Sequence, residues 1–263
     1  MLNQIVANAP QFLLIAVRCF ALIQTTPLLS SRGIPRAAKI ALAGCVAYLM
    51  FPYSYSEGWN VESYSLNYVF VLIGEGMLGV ITGFYINMIF AAFSSAGQFF
   101  SLQMGFSAAE AYDSLSQVEN PIMGQYLNLA AMIIFLQVKG FQRIFMQGIM
   151  NSFQAINAFT LLSAKENFMK FMLSGLTDLF FDAMLISLPM IAALFLVHVS
   201  MGILSKAAPQ MNLLSEGLPI TILISFFLLT SLMPVMADYF TRVFGTAFFK
   251  LDSLLTKISA VRL

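Results

Sequence analysis

Hydrophobic and polar positions are distributed along this chain in long blocks. Apolar stretches suited to helices cover residues 10–29, 37–51, 66–93, 122–138, 143–162, 175–204 and 217–237, and the breaks between them gather much of the charge. A helix needs roughly 20 apolar residues to cross a bilayer. The pattern therefore predicts an all-α, polytopic chain of hydrophobic helical hairpins. The 37–51 stretch is short for a span and carries Lys39, so a half-span and a full crossing both fit it. Lys139, Gly140 and Arg143 divide residues 122–162 into two tightly joined pieces, and residues 163–172, SAKENFMKFM, read as a short amphipathic or linking segment.

One stretch departs from simple greasiness. Within residues 76–105, Gly76, Gly79, Gly83, Asn87, Ala91, Ser94, Gly97, Ser101 and Gly105 follow one another three or four positions apart, so they form one smooth helical face among bulky neighbours. Close packing of helices explains such a stripe. Length supplies a second explanation. Helical periodicity runs from Leu66 to about Gly105, and forty residues span roughly 60 Å against a hydrocarbon core of about 30 Å. A helix projecting beyond the bilayer needs a protein partner for its smooth face. The apolar character then stops at residues 106–121, FSAAEAYDSLSQVENP, a polar interruption opened by Gly105.

Composition narrows the class. The 263 residues are 59% hydrophobic and 10% charged, with mean hydropathy +0.84, which marks a membrane protein. A net charge of +1 offers no basic surface for nucleic acid. The first cation, Arg18, lies in the middle of an apolar run with no small-residue cleavage site after it, unlike a secretory signal. Cys19 and Cys45 have neither metal-ligand nor redox spacing and read as buried thiols. His198 has no carboxylate or cysteine at helical spacing and reads as a packing residue. No nucleophile–base set, phosphate loop or dinucleotide fingerprint is found, so neither an enzyme nor a cofactor is expected.

Charge inside the apolar blocks carries the remaining chemistry. Arg32, Arg36 and Lys39 lie in the break at residues 23–40 marked by Pro27 and Pro35, as in a cytoplasmic loop. Residues 52–65 hold Trp59, tyrosines and two acids, as in an interfacial loop. Glu75 sits between Gly74 and Gly76 in an apolar run, where an ionisable group needs a partner. Lys39, Glu75 and Lys206 are expected to be paired in an assembly. Asp178 and Asp182 share a face near the start of the 175–204 segment and read as acids on a helix N-terminus. Pro189 is expected to kink that helix. Beyond the break at 205–219, Gly217 and Pro219 frame the start of the last helix, and Arg242, Lys250, Lys257 and Arg262 read as cations of a cytoplasmic tail.

That break contains Ala208-Pro209-Gln210-Met211-Asn212, followed by Gly217 and Pro219. With Pro27, Pro35 and Lys39, the glycine-spaced helix of Glu75, Gly79, Gly83 and Gly97, and the opening Gly105-Phe106-Ser107, the chain resembles the flagellar export-gate family FliR and its injectisome relatives. It departs from the family's pattern at Asp113-Ser114 and Gly140-Phe141. The resemblance implies a FliP-like first part, residues 1–170, joined to a FliQ-like hairpin and tail, residues 171–263. It implies assembly with FliP and FliQ into a right-handed helical gate, with FlhB around its cytoplasmic side. The gate belongs to the flagellar basal body, in the bacterial inner membrane with its core projecting towards the periplasm, and carries unfolded flagellar proteins. The loop 105–121 would help to plug the channel, with Gly105, Phe106, Ser107, Tyr112, Leu115 and Val118 at the plug and Gly79, Gly83 and Gly97 at helix contacts. The competing class is a stand-alone transporter or channel using Glu75, Lys39 and the Asp178/Asp182 pair.

Overall fold

The computed structural model describes residues 8–31, 33–54, 66–106, 122–156, 165–208 and 213–260, and among these every regular element is a helix. In order they are α1 (Ala9–Thr25), α2 (Pro27–Ser30), α3 (Arg36–Ser54), α4 (Leu66–Met104), α5 (Ile122–Gln137), α6 (Gly140–Arg143), a π-helix (Ile144–Asn151), α7 (Ser152–Ala155), α8 (Lys165–Ala207) and α9 (Leu213–Ala260). Three helical stretches are long and apolar enough to cross a membrane: α4 with 39 residues, α8 with 43, and Glu216–Ser259 of α9 with 44. Helix α1 is apolar but shorter.

Local chemistry sets several ends. Helix α1 stops at Thr25 because Pro27 pushes Thr26 into extended backbone, and the Thr26 hydroxyl donates back to the Leu22 carbonyl at 2.8 Å. Helix α4 ends at Gly105, whose φ of 86° is open to glycine without a Cβ penalty. Lys139 takes a left-handed φ of 56° immediately before α6.

Three boundaries differ from those read in the sequence. Residues 165–172 are the first turns of α8 rather than a linker, because Lys165, Glu166 and Lys170 are good helix formers and Phe168 is buried in a core. Helix α9 begins at Leu213 and takes Gly217 and Pro219 inside it. Its far end runs through Arg242, Lys250 and Lys257, so these are helix residues and not a tail. Phe240, Phe244, Phe248, Leu251, Leu255 and Ile258 recur at helical spacing and are buried, which extends the helix by amphipathicity.

Two compact units are built from these helices. The first comprises Met1–Met88, Lys139–Gly175 and Gly245–Leu263. In it α1 packs on α3, with Leu14, Ile15 and Leu22 of α1 and Ala43 and Ala47 of α3 buried, and Phe12 edge-on to Phe51 at 6.1 Å. A second cluster joins Leu78, Ile156, Phe168, Leu254, Leu255 and Ile258. Cys19 is buried in this unit, but Cys45 is exposed, because α3 turns Ala43, Val46 and Ala47 inward. The other unit comprises Ile89–Val138 and Leu176–Phe244. Its centre is aromatic: Phe90, Phe93, Phe135, Phe240 and Phe244 meet with ring centroids 4.3 to 6.5 Å apart.

Candidate functional site

In the first unit the chemistry converges on Arg18. Position 18 lies on the buried face of α1, with Leu14, Ile15 and Leu22, and its guanidinium is 2% exposed. Arg18 Nε donates to Glu75 Oε2 at 2.6 Å, with Nη2 2.5 Å from the same oxygen. Nη1 donates to Ser152 Oγ at 3.1 Å, Nη2 donates to the Ile156 carbonyl at 2.9 Å, and the guanidinium carbon stands 4.0 Å from the centre of the Phe153 ring. The Ser152 hydroxyl in turn donates a hydrogen bond to the Ile149 carbonyl at 2.9 Å. One planar cation thus ties α1 to α4 and to α7, the short helix after the π-helix. Arginine suits this position because its fork satisfies several acceptors at once. Isolated buried charges cost several kcal/mol each, so paired, hydrogen-bonded burial is the arrangement that an apolar chain tolerates.

The glycine stripe lies beside this knot. A Cβ on Gly79 would strike the Arg18 carbonyl and the Ala21 side chain, and one on Gly83 would strike Thr25. Both glycines let α4 approach the backbone of α1. In the other unit Gly97 plays a similar part, facing the backbone of Met123 and Gly124 on α5. Helices approach closely at small residues, and backbone cannot move aside as a side-chain tip can. The remaining charged candidates are placed apart from the knot. Lys39 is 6% exposed and donates to the Ser30 carbonyl at 2.9 Å, while Lys206 is exposed at the end of α8. The sequence marked Glu75 as needing a partner and passed over Arg18. The available signal was that a lone cation in an apolar helix makes the same demand.

The root of the 105–121 segment belongs to the other unit. The Gln103 carbonyl meets His198 Nε2 of α8 at 3.0 Å, and Phe106 stands edge-on to Phe226 of α9 at 6.2 Å. A Cβ on Gly105 would press on Leu218, and one on Gly217 would press on Met201. His198 is exposed, so its role is this surface hydrogen bond and not core packing. Ser107, Tyr112, Leu115 and Val118 lie outside the described residues, as do Pro209, Gln210, Met211 and Asn212. Asp178 and Asp182 stand several turns inside α8, since the helix begins at Lys165; the N-terminal reading of this pair is therefore corrected. Asp182 accepts a hydrogen bond from Tyr239 of α9 at 2.8 Å. Among the described residues no three His, Cys, Asp or Glu side chains converge as metal ligands.

Long apolar helices, a buried ion pair and small-residue crossings define an all-helical membrane protein. Residues 9–247 match the model of the bacterial export proteins, family 1, and the chain belongs to that family. It is 30% identical to the flagellar biosynthetic protein FliR of Bacillus subtilis over 98% of this chain and 99% of the relative. It is 25% identical to FliR of Escherichia coli over 93% of this chain and 92% of the relative. The surface presentation of antigens protein SpaR of Shigella flexneri is 27% identical over 61% of each chain. The chain is a membrane-embedded component of the flagellar, type III class of export apparatus.

Proposed function

We propose that this chain is a subunit of the export gate itself, forming with FliP and FliQ the channel that passes unfolded flagellar proteins across the bacterial inner membrane. The near full-length likeness to FliR proteins carries the reading. The chain acts by shape and packing and not by catalysis, and FlhB contacts it on the cytoplasmic side. Its first part, residues 1–170, is FliP-like, and residues 171–263 are FliQ-like. Supporting a core that projects towards the periplasm, the 39 residues of α4 reach about 58 Å at the helical rise, well beyond a hydrocarbon core of about 30 Å. Lys39, Glu75 and Lys206 serve the assembly, Glu75 by holding the fold that the partners meet. The Pro209–Asn212 motif and Gly217, the latter in the first turns of α9, are the family's signature within the FliQ-like part.

Residues 105–121 contribute to the plug. A gate must hold back ions and later admit a polypeptide, so its seal has to move, and Gly105 supplies a hinge at the segment's root. Contacts of Gln103 with His198 and of Phe106 with Phe226 support an anchored root for the segment. Ser107, Tyr112, Leu115 and Val118 complete the seal. Copurification with FliP and FliQ tests gate membership. Deleting residues 110–118 leaves that complex assembled but leaky to small ions, and Phe106→Ala gives a milder leak. An assembled, ion-tight deletion mutant places the seal elsewhere.

A further inference from the structure

Within the unit of Ile89–Val138 and Leu176–Phe244, the end of α4 is held by α8 and α9, and the three helices touch pairwise. Towards α8, the Gln103 carbonyl meets His198 Nε2 at 3.0 Å. Towards α9, a Cβ on Gly105 would stand 2.8 Å from Leu218 Cδ2, and Phe106 lies edge-on to Phe226 at 6.2 Å. The triangle closes between α8 and α9. There the Met201 methyl group occupies the place of a Cβ on Gly217, and Thr221 Oγ1 is 3.6 Å from Met201 Sδ.

Softness is concentrated where these helices meet. Leu218 stands between Gly217 and Pro219, both inside α9. Proline removes the hydrogen bond to the carbonyl four residues back, and glycine weakens a helix interior. The turn that carries Leu218 can therefore bend while the rest of α9 stays helical. Opposite it, Gly105 has a φ of 86°, from which glycine rotates without a Cβ penalty. The contact between them is apolar and non-directional, so parting it breaks no ion pair and strands no buried charge. We propose that Leu218 is a positioning residue for the 105–121 segment. The first turns of α9 clasp Gly105 and Phe106 while the gate is sealed, and bending at Gly217 and Pro219 frees them when a polypeptide passes. The proposal rests on the plug reading and adds to it the element that controls the segment.

The test measures ion leak and export in cells that carry the export complex, with leak expressed per assembled complex. Leu218→Ala leaks at least as much as Phe106→Ala, and Leu218→Met recovers most of the seal. Leu223→Ala, at an exposed position on the same helix, stays tight. Combining Leu218→Ala with deletion of residues 110–118 gives no more leak than the deletion alone, because both act through one segment. A leucine with a merely structural role would instead add its leak to that of the deletion. Release is tested with Phe106→Cys and Phe226→Cys in a Cys45→Ser background, Cys19 being buried. Joining the two thiols with a short cleavable bifunctional reagent stops export, and cleaving the link restores it. A tight Leu218→Ala, an additive double variant or undiminished export through the joined complex overturns this proposal, and a leaky 110–118 deletion leaves the plug reading standing. An ion-tight deletion removes the plug reading and this proposal with it.

Discussion

The knot around Arg18 and the crossing beside Asn128 both place polar groups in apolar surroundings, with opposite outcomes. At the knot, one guanidinium is matched by a carboxylate, a hydroxyl, a backbone carbonyl and an aromatic face. Between α4 and α5, the Asn128 amide keeps one hydrogen bond, to Ser94, while its carbonyl oxygen is buried without a partner. A completed network fixes one arrangement of the helices around it. An incomplete one costs stability that the folded chain does not itself recover. The contrast separates a region whose buried charge is answered on several sides from one that carries a buried polar atom unanswered.

The largest expected effect breaks the knot asymmetrically. Arg18→Met leaves Glu75 buried without its cation, and losing one member of a buried pair costs about 3–5 kcal/mol. Complex yield on native gels falls sharply for Arg18→Met and for Glu75→Leu alone. It recovers substantially in the double variant, where no charge is stranded. A double variant as poor as either single would show that the pair's value lies in its geometry and not in mutual neutralisation. Next come the crossings. Gly83→Leu beside α1 and Gly97→Leu beside α5 each overpack a backbone contact, at a cost of about 1–3 kcal/mol. Both lower complex yield while membrane insertion, read by fractionation, is unchanged. Equal yields for wild type and both variants would mean that α4 shifts to make room.

A comparable but more local effect is expected at Lys39. Replacement by Met removes a hydrogen bond from a charged donor to the Ser30 carbonyl, worth about 1.5–3 kcal/mol. The same change at Lys257, an exposed residue near the end of α9, is expected to be silent. Export assays compare the two, and equal tolerance would place Lys39 among the ordinary surface cations. The smallest effect tests the root of the plug segment. His198→Ala removes one exposed hydrogen bond to Gln103, so ion leak through the assembled complex rises less than in Phe106→Ala. A leak at His198→Ala as large as that of the 110–118 deletion would make this contact the main restraint on the segment.

Much of the helical class and the family were legible before any coordinates. Seven long apolar blocks in a chain this poor in charge leave few alternatives to helices in a membrane, because backbone groups in lipid must bond within their own segment. The glycine spacing marked one face of α4 for the same local reason, a fixed number of residues per turn. Helix ends were less legible. Pro219 suggested a start at a position that α9 passes through, and the charges of 163–172 suggested a linker where burial of Phe168 sustains helix. Tertiary packing overrides local punctuation when a buried stripe continues beyond it.

Glu75 shows where sequence stops. Its position in an apolar run dictates that it needs a partner, since desolvation of a charge is a local property of the surroundings. Which partner it finds depends on the register of α1 against α4, fifty-seven residues apart, and on the turn that brings Ser152 and Ile156 to the same place. The same holds for Asn128. Its polarity was always in the sequence, but only the crossing at Gly97 and Gly124 sets it beside Ser94, satisfies its nitrogen and leaves its oxygen without a partner. Chain chemistry decided which groups must be answered. Three-dimensional packing decided which were, because hydrogen bonds and ion pairs act over a few ångströms and depend on positions that no local pattern encodes.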